Sequence, residues 1–283
     1  MNHQQIRDFF ALNHTRPKKQ LGQNFLVNPE ILKIILEAGE LTNTDTVIEI
    51  GAGLGCLTEV VARHVKSVIA VEVDSLLYKV LEAQFSTNPR VQLLNADILK
   101  LELNTLLSDE TPIIAPTFKV LANLPYSITT PILWKLLEHH KQIHSCVLMM
   151  QKEVAERIVA RPGGKDYGAL TIGITYHAEA ELIATLSPEN FYPAPKVDSA
   201  LLKLTMREEP KVAVENEALF FSIVRTAFRT RRKMLKNSLV RGRFASNEVL
   251  GTVLEELGIA PQRRAETLDI AEFAALANAL AQL

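Results

Sequence analysis

The stretch EIGAGLG, residues 49–55, places glycines at 51, 53 and 55 behind an acidic residue, Glu49. Glycine tolerates positive φ and lets a backbone come close to a bound group, so Gly51 and Gly53 are candidate ligand contacts. Glu72 follows ~20 residues after Gly51, where a carboxylate can accept hydrogen bonds from both hydroxyls of a ribose. Asp97 closes a third apolar run in NAD, residues 95–97, and an acid there can reach an adenine amino group. Together these residues point to an adenosine-type ligand. Taken singly they would be a tight turn and two surface acids. A dinucleotide site would want a third glycine at position 56, which is Cys56. A pyrophosphate also seeks donors at a helix N-terminus, and Glu49 would repel it. The pattern favours a cationic, phosphate-free ligand such as S-adenosylmethionine over NAD.

A second constellation is NLPY, residues 123–126, which ends the apolar run FKVLA. A plain strand-to-helix turn does not need an amide, a proline and an aromatic ring together. The two cysteines, Cys56 and Cys146, lie far apart in the chain. They exclude a disulfide framework or a zinc site and read as small buried hydrophobes in a reducing compartment. No metal is expected.

The elements that must position these residues alternate through the first two-thirds of the chain. Strand-like apolar runs at 46–53, 67–74, 90–97, 118–126 and 145–150 are separated by helix-like segments. That order predicts a parallel sheet covered on both faces. Residues 167–178, YGALTIGITYHA, read as a further helix. AELIATLS and VDSALLKLTM (197–206) follow, close enough to pair antiparallel at the sheet edge. REEPKVAVEN, residues 207–216, reads as a linker, and only helical patterns come after it. The fold class is therefore α/β, a mostly parallel seven-stranded sheet with an antiparallel edge, plus a small all-α C-terminal domain. The boundaries are 1–209, including a basic extension at 1–20 whose residues 1–15 have no assigned role, and 210–283.

Net charge is −1 and 47% of residues are hydrophobic. The chain is thus no polycation, and affinity for nucleic acid must come from local clustering. Residues 225–243 provide such a cluster, with eight Lys and Arg and no acid. Read as one helix, Val224, Phe228, Leu235 and Leu239 share an apolar stripe. Arg225, Arg229, Arg232 and Lys236 form an adjacent one, extended by Lys233, while Arg231 falls on the apolar side. With no acidic partner at i±4, a solvated face would repel itself. An RNA phosphate footprint is the better reading, with Arg263 and Arg264 as an extension. No apolar run of ~18 residues is present, and the N-terminus lacks the apolar core of a secretory signal. A cytoplasmic protein with no membrane partner is expected.

The motifs QNFL (23–26), EIGAGLG, Glu72, NAD, NLPY and FYPAPKVDS (191–199) occur in the order seen in ribosomal RNA adenine dimethyltransferases, and the chain resembles that family along nearly its whole length. RRKMLKNSL, residues 231–239, is similar to its small-subunit branch, the dimethyladenosine transferases. The resemblance implies a Rossmann-like methyltransferase domain that uses S-adenosylmethionine, followed by an RNA-binding domain. The implied substrate is two adjacent adenines in a hairpin loop near the 3′ end of small-subunit ribosomal RNA, within an assembling subunit. A monomer is the expectation.

On this reading the Asn123 side-chain carbonyl and the Leu124 backbone carbonyl grip the amino hydrogens of an adenine. Pro125 fixes the turn, and Tyr126 offers a face to the base. Phe191 is implied as a second stacking platform. Asn24 and Leu26 would contact the cofactor, a role that residue type and spacing alone do not suggest, and Asn123 would touch the cofactor as well as the base. Two alternatives stay open: a large-subunit adenine methyltransferase of the antibiotic-resistance type, and a non-catalytic assembly or RNA-binding factor. An NAD-dependent dehydrogenase is disfavoured by the glycine spacing.

Overall fold

The structure is a computed structural model that describes residues 1–106, 118–230 and 232–283; Arg231 lies outside them. In chain order the elements are α1 (His3–Leu12), β1 (Phe25–Leu26), α2 (Pro29–Gly39), β2 (Thr46–Ile50), α3 (Cys56–Val61), β3 (Ser67–Glu72), α4 (Ser75–Phe85), β4 (Val91–Asn95), β5 (Phe118–Asn123), α5 (Thr129–Glu138), β6 (Ile143–Gln151) and α6 (Lys152–Ile158). They continue with α7 (Ala169–His177), β7 (Ala178–Leu186), β8 (Phe191–Tyr192), β9 (Ser199–Met206), α8 (Glu217–Arg229), α9 (Leu235–Arg241), α10 (Asn247–Glu256) and α11 (Ile270–Ala281).

The chain divides into two compact units, Met1–Ala155 with Glu181–Met206, and Glu156–Ala180 with Arg207–Leu283. The sequence pattern places a single boundary at 209/210, so residues 156–180 stand apart from that expectation. Their apolar side chains explain the grouping. Tyr176 of α7 packs its ring 5.2 Å from both Phe220 and Phe221 of α8, and Tyr167 lies 5.9 Å from Phe228.

The first unit is built on a seven-stranded sheet of order β4-β3-β2-β5-β6-β9-β7. β2 pairs parallel with both β3 and β5, β3 with β4 and β5 with β6, while β9 pairs antiparallel with β6. Strands buried on both faces read as continuous apolar runs, and TVIEI in β2 is such a run. Val47 is buried against α2 and α3 through Ile31, Ile35, Leu57 and Val61. The alternate residues Ile48 and Ile50 are equally buried. The chain moves outward from β2 in one direction through β3 and β4, and in the other through β5 and β6. The β2/β5 junction is thus a topological switch point, whose carboxyl edge forms a crevice.

The N-terminus is ordered by its own sequence. Asn2 and Gln5 form a capping box at the start of α1, satisfying two otherwise orphaned backbone N–H groups. Ile6 and Phe10, one turn apart, pack against Leu54 and Leu77.

The second unit is helical. Its basic segment is not the single helix expected from the sequence. α8 stops at Arg229, and α9 starts only at Leu235. Between them Met234 adopts an extended conformation, with ψ 144°, and bridges to Arg264, while the Leu235 N–H donates to the Arg263 carbonyl at 2.8 Å. That backbone pairing replaces helical hydrogen bonds, and it relieves a run of like charges that an unbroken helix would stack at i, i+4.

Candidate active site

The sharp turn after β2 is held open by Glu72. One carboxylate oxygen of this residue accepts from the Gly53 N–H at 2.8 Å, and the other accepts from the Asp74 N–H at 2.8 Å. Gly53 has φ +62°, and a Cβ there would stand 3.3 Å from the Phe25 ring. The position therefore takes glycine both for its backbone angle and for the ring that covers it. Glu72 is buried, which raises its pKa above the ordinary carboxylate value, with the Asp74 and Gly53 N–H groups pulling the other way. Each oxygen retains a lone pair for a further donor.

Asn123 ends β5, on the other side of the switch point. Its Nδ2 donates to the Asn24 carbonyl at 2.7 Å. This assigns its Oδ1 as the free acceptor by the logic of the hydrogen-bond network. Leu124 is buried and its N–H donates to the Met149 carbonyl at 2.9 Å, which ties the residue to β6. Pro125 has φ −58°. The hydroxyl of half-buried Tyr126 shares a 2.6 Å hydrogen bond with Ser199 of β9, and burial pushes the phenol pKa up against that contact.

Residues 18–27 form a strap across this edge. Gly22, at φ +61°, sits so close to Pro125 that a Cβ would meet its ring at 3.1 Å. β1 pairs antiparallel with β8, matching Phe25 to Tyr192 and Leu26 to Phe191. Lys18 Nζ and Gln23 Nε2 both donate to the Asp74 carboxylate, at 2.9 and 2.8 Å. Burial alone would raise the Asp74 pKa, but Lys18, Gln23 and the Leu76 N–H together hold it below the ordinary range. Asp74 also caps α4. The strap thus closes a cavity of about 110 Å³ whose wall includes Asn24, Leu26, Glu49, Gly51, Gly53, Glu72, Asn123 and Pro125.

Most cofactor-side candidates therefore meet in one place: Asn24, Leu26, Gly51, Gly53, Glu72 and Asn123. Three expectations fare differently. β4 stops at Asn95, so Asp97 lies in the following turn, where its carboxylate accepts from the Leu99 N–H at 3.0 Å. It stands off the cavity wall. Phe191, expected as an open stacking face, is 0% exposed and belongs to the core cluster with Ile31, Leu121 and Met149. Its apolar ring is worth more under β1 than in water. Cys146 is buried as expected, but Cys56 is only half-buried and lines the cavity.

Lys18, Gln23 and Asp74 carry no local signature of this contact in the sequence, because the partners lie tens of residues apart. α1 is visible in principle, through Asn2, Gln5 and the Ile6/Phe10 spacing.

In the second unit Arg225, Arg229, Arg232 and Lys233 are exposed, whereas Lys236 is half-buried. The Lys236 Nζ lies 3.0 Å from where a Gly251 Cβ would be. The five cations do not form one helical stripe: two lie on α8, two in the turn and one on α9. Arg263 is committed internally, with its guanidinium on the Glu272 carboxylate and Thr267. It does not extend the basic face.

Among the described residues no helix is long and apolar enough to cross a membrane, and no cluster of metal-ligating side chains occurs.

The family model described as ribosomal RNA adenine dimethylase matches residues 14–282. A Geobacillus thermodenitrificans protein named ribosomal RNA small subunit methyltransferase A is 46% identical, over 94% of this chain and 92% of its own length. The Bacillus mycoides protein of that name is 44% identical, over 93% and 91%. Among solved structures, a dimethyladenosine transferase from Plasmodium falciparum superposes with a TM-score of 0.75 at 27% identity, covering 89% of this chain and 95% of the other. The 23S rRNA methyltransferase ErmE superposes with a TM-score of 0.68 at 28% identity, covering 92% and 100%.

Proposed function

The chain belongs to the ribosomal RNA adenine dimethylase family, and from that premise we propose that it dimethylates the exocyclic amino groups of two adjacent adenines near the 3′ end of small-subunit ribosomal RNA. The adenines lie in a hairpin loop of an assembling subunit, the protein acts as a cytoplasmic monomer, and S-adenosylmethionine is the methyl donor.

The residues of the cavity wall suit that donor chemically. Its ionisable wall residues include two acids, Glu49 and Glu72, which suit a ribose and a positive charge and would repel phosphates. Among the described residues the Oε2 of buried Glu49 has no hydrogen-bond partner, so the wall keeps an unused acceptor. Gly51 and Gly53 let a ligand approach the backbone, Glu72 takes the ribose hydroxyls, and Asn24 and Leu26 cover it from the strap. When bound, the donor supplies a methyl group already activated by its positive sulfur. Asp97 lies beyond this wall, and we assign it only to the adenine end of the donor.

The residues of NLPY work on the target base. The lone pair of an adenine amino nitrogen is delocalised into the ring. Acceptors on both amino hydrogens turn that lone pair out of the ring plane and help most as charge develops on the nitrogen. The Asn123 Oδ1 is one acceptor and the Leu124 carbonyl is the other. Pro125 keeps the pair aligned and Tyr126 stacks on the base. Phe191 reaches a base only if β8 moves away from the core, so we assign its main role to packing. No strong general base is needed, because an alkylated amino nitrogen that gains positive charge loses its proton readily to water. Arg225, Arg229, Arg232, Lys233 and, to a lesser degree, Lys236 neutralise RNA phosphates, which position the substrate while the bases specify it.

The observation that carries this reading is the Asn123–Asn24 hydrogen bond, which commits the amide nitrogen and frees the oxygen. The test offers labelled donor to small and large ribosomal subunits, each isolated without adenine dimethylation. Label confined to the small subunit supports the reading. Label in the large subunit would favour the activity named for ErmE, and binding of donor and subunit without transfer would favour an assembly factor.

A further inference from the structure

Glu49 stands apart from the other acids of the first unit. It is 2% exposed, lies between Ala70 and Leu121 on the neighbouring strands, and lines the cavity. Among the described residues its Oε2 has no hydrogen-bond partner, and neither has the Thr58 hydroxyl, which is also buried. The Thr58 hydroxyl and N–H face the carboxylate and favour its ionised form, but the hydroxyl completes no hydrogen bond and counts as a weak contact.

Among the described residues the charged groups around Glu49 offer it no cation. Glu72, from β3, is a like charge. Of the strap cations, Lys18 is paired with Asp74 and Lys19 is exposed. On α3 Glu59 pairs with Arg63, on α2 Lys33 pairs with Glu30, and on β5 Lys119 pairs with Asp45. Gln23, Asn24, Cys56 and Asn123 complete the polar wall. An unpaired buried charge is costly unless a partner arrives.

We propose that Glu49 couples proton release to cofactor charge: it holds a proton while the cavity is empty and gives it to solvent when a positively charged cofactor enters. The inference rests on the S-adenosylmethionine reading given above. Burial pushes the Glu49 pKa up to about 8, so the empty cavity carries a neutral carboxyl at neutral pH. A cation beside it lowers that pKa. Binding therefore releases a proton below pH ~8, and none well above it, where Glu49 is already ionised. Affinity for the charged donor rises with pH and levels off near 8. A cofactor product with a neutral sulfur has less hold on the carboxylate. Glu49 then takes its proton back, which weakens product binding relative to donor binding.

Calorimetric titration in two buffers of different ionisation enthalpy counts the protons. The ligands are S-adenosylmethionine and S-adenosylhomocysteine, at pH 7 and pH 9, with the natural chain and Glu49→Gln. At pH 7 the natural chain should release about 0.9 proton more than Glu49→Gln on binding S-adenosylmethionine, the fraction of an acid of pKa about 8 still protonated. The difference should nearly vanish at pH 9 and be smaller with S-adenosylhomocysteine. Where Glu49→Gln fails to fold, the natural chain alone decides: its proton release with S-adenosylmethionine should exceed that with S-adenosylhomocysteine at pH 7, and the excess should nearly vanish at pH 9. Equal proton counts in the natural chain and Glu49→Gln, or equal release with the two ligands at pH 7, would overturn the inference. If S-adenosylmethionine binds without a Glu49-dependent proton, only this inference fails. If it binds neither protein, the cofactor reading itself fails.

Discussion

In the first unit Glu72 ends β3, Asn123 ends β5 and Gly51 follows β2, whereas in the second unit the cations are spread over the end of α8, a turn and the start of α9. The contrast is physical. A parallel sheet brings the carboxyl ends of its strands to one edge whatever the loops do, so residues at those ends share a site by construction. A helical stripe survives only as long as the helix, and here a long-range pairing of Met234 with Arg264 ends it. The first unit therefore holds its groups by hydrogen bonds to backbone of 2.7–2.9 Å. The second presents exposed side chains suited to phosphates, which need charge more than geometry.

The largest effect should come from Phe191→Ala. A fully buried ring removed from the first unit costs roughly 3–5 kcal/mol, read as a lowered denaturation midpoint. If the variant unfolds at the natural midpoint but has lost turnover, the ring acts on the base and the packing assignment is wrong. Glu49→Gln should go the other way. With its folded pKa raised to about 8, the natural chain binds more protons folded than unfolded between the ordinary glutamate value and 8. It therefore loses stability as pH rises through that window. Removing the ionisable group should stabilise the empty protein by up to ~3 kcal/mol at pH 7, with no gain near pH 4.5, as thermal unfolding across pH would report.

Smaller effects belong to the second unit. Replacing Arg225, Arg229 and Arg232 with Ala should weaken binding to RNA by ~10-fold or more at low salt. It should also flatten the dependence of log K on log salt by ~0.7–0.9 for each phosphate no longer neutralised, with cofactor affinity unchanged. Lys236→Ala should change the slope least, because the ammonium lies against α10. A slope change from Lys236→Ala equal to that from Arg229→Ala would restore the continuous stripe.

The same contrast governs what is legible in the sequence. The glycine turn, Glu72 and NLPY can be read because each is a local pattern at the end of an apolar run. The helix α7 is readable from composition, but its place in the second unit is not, since it depends on the rings of Phe220 and Phe221 tens of residues away. Phe191 shows the limit from the other side: an aromatic in a motif reads as functional, and only three-dimensional packing reveals that its ring lies in the core. The latch of Lys18 and Gln23 on Asp74 spans more than 50 residues and leaves no periodic signal. Asp97 is displaced by the early end of β4, a boundary that residue type does not fix.

On the proposed function, the edge around Asn123 prepares an adenine amino group while binding resides elsewhere. The most direct test compares the natural chain with Asn123→Ala on small subunits lacking dimethyladenosine, measuring cofactor binding, subunit binding and the modified nucleosides released by digestion. The natural chain should give dimethyladenosine at two adjacent positions. Asn123→Ala should turn over ~100- to 1,000-fold more slowly, with both binding constants within a few-fold. Full dimethylation by Asn123→Ala would contradict the claim.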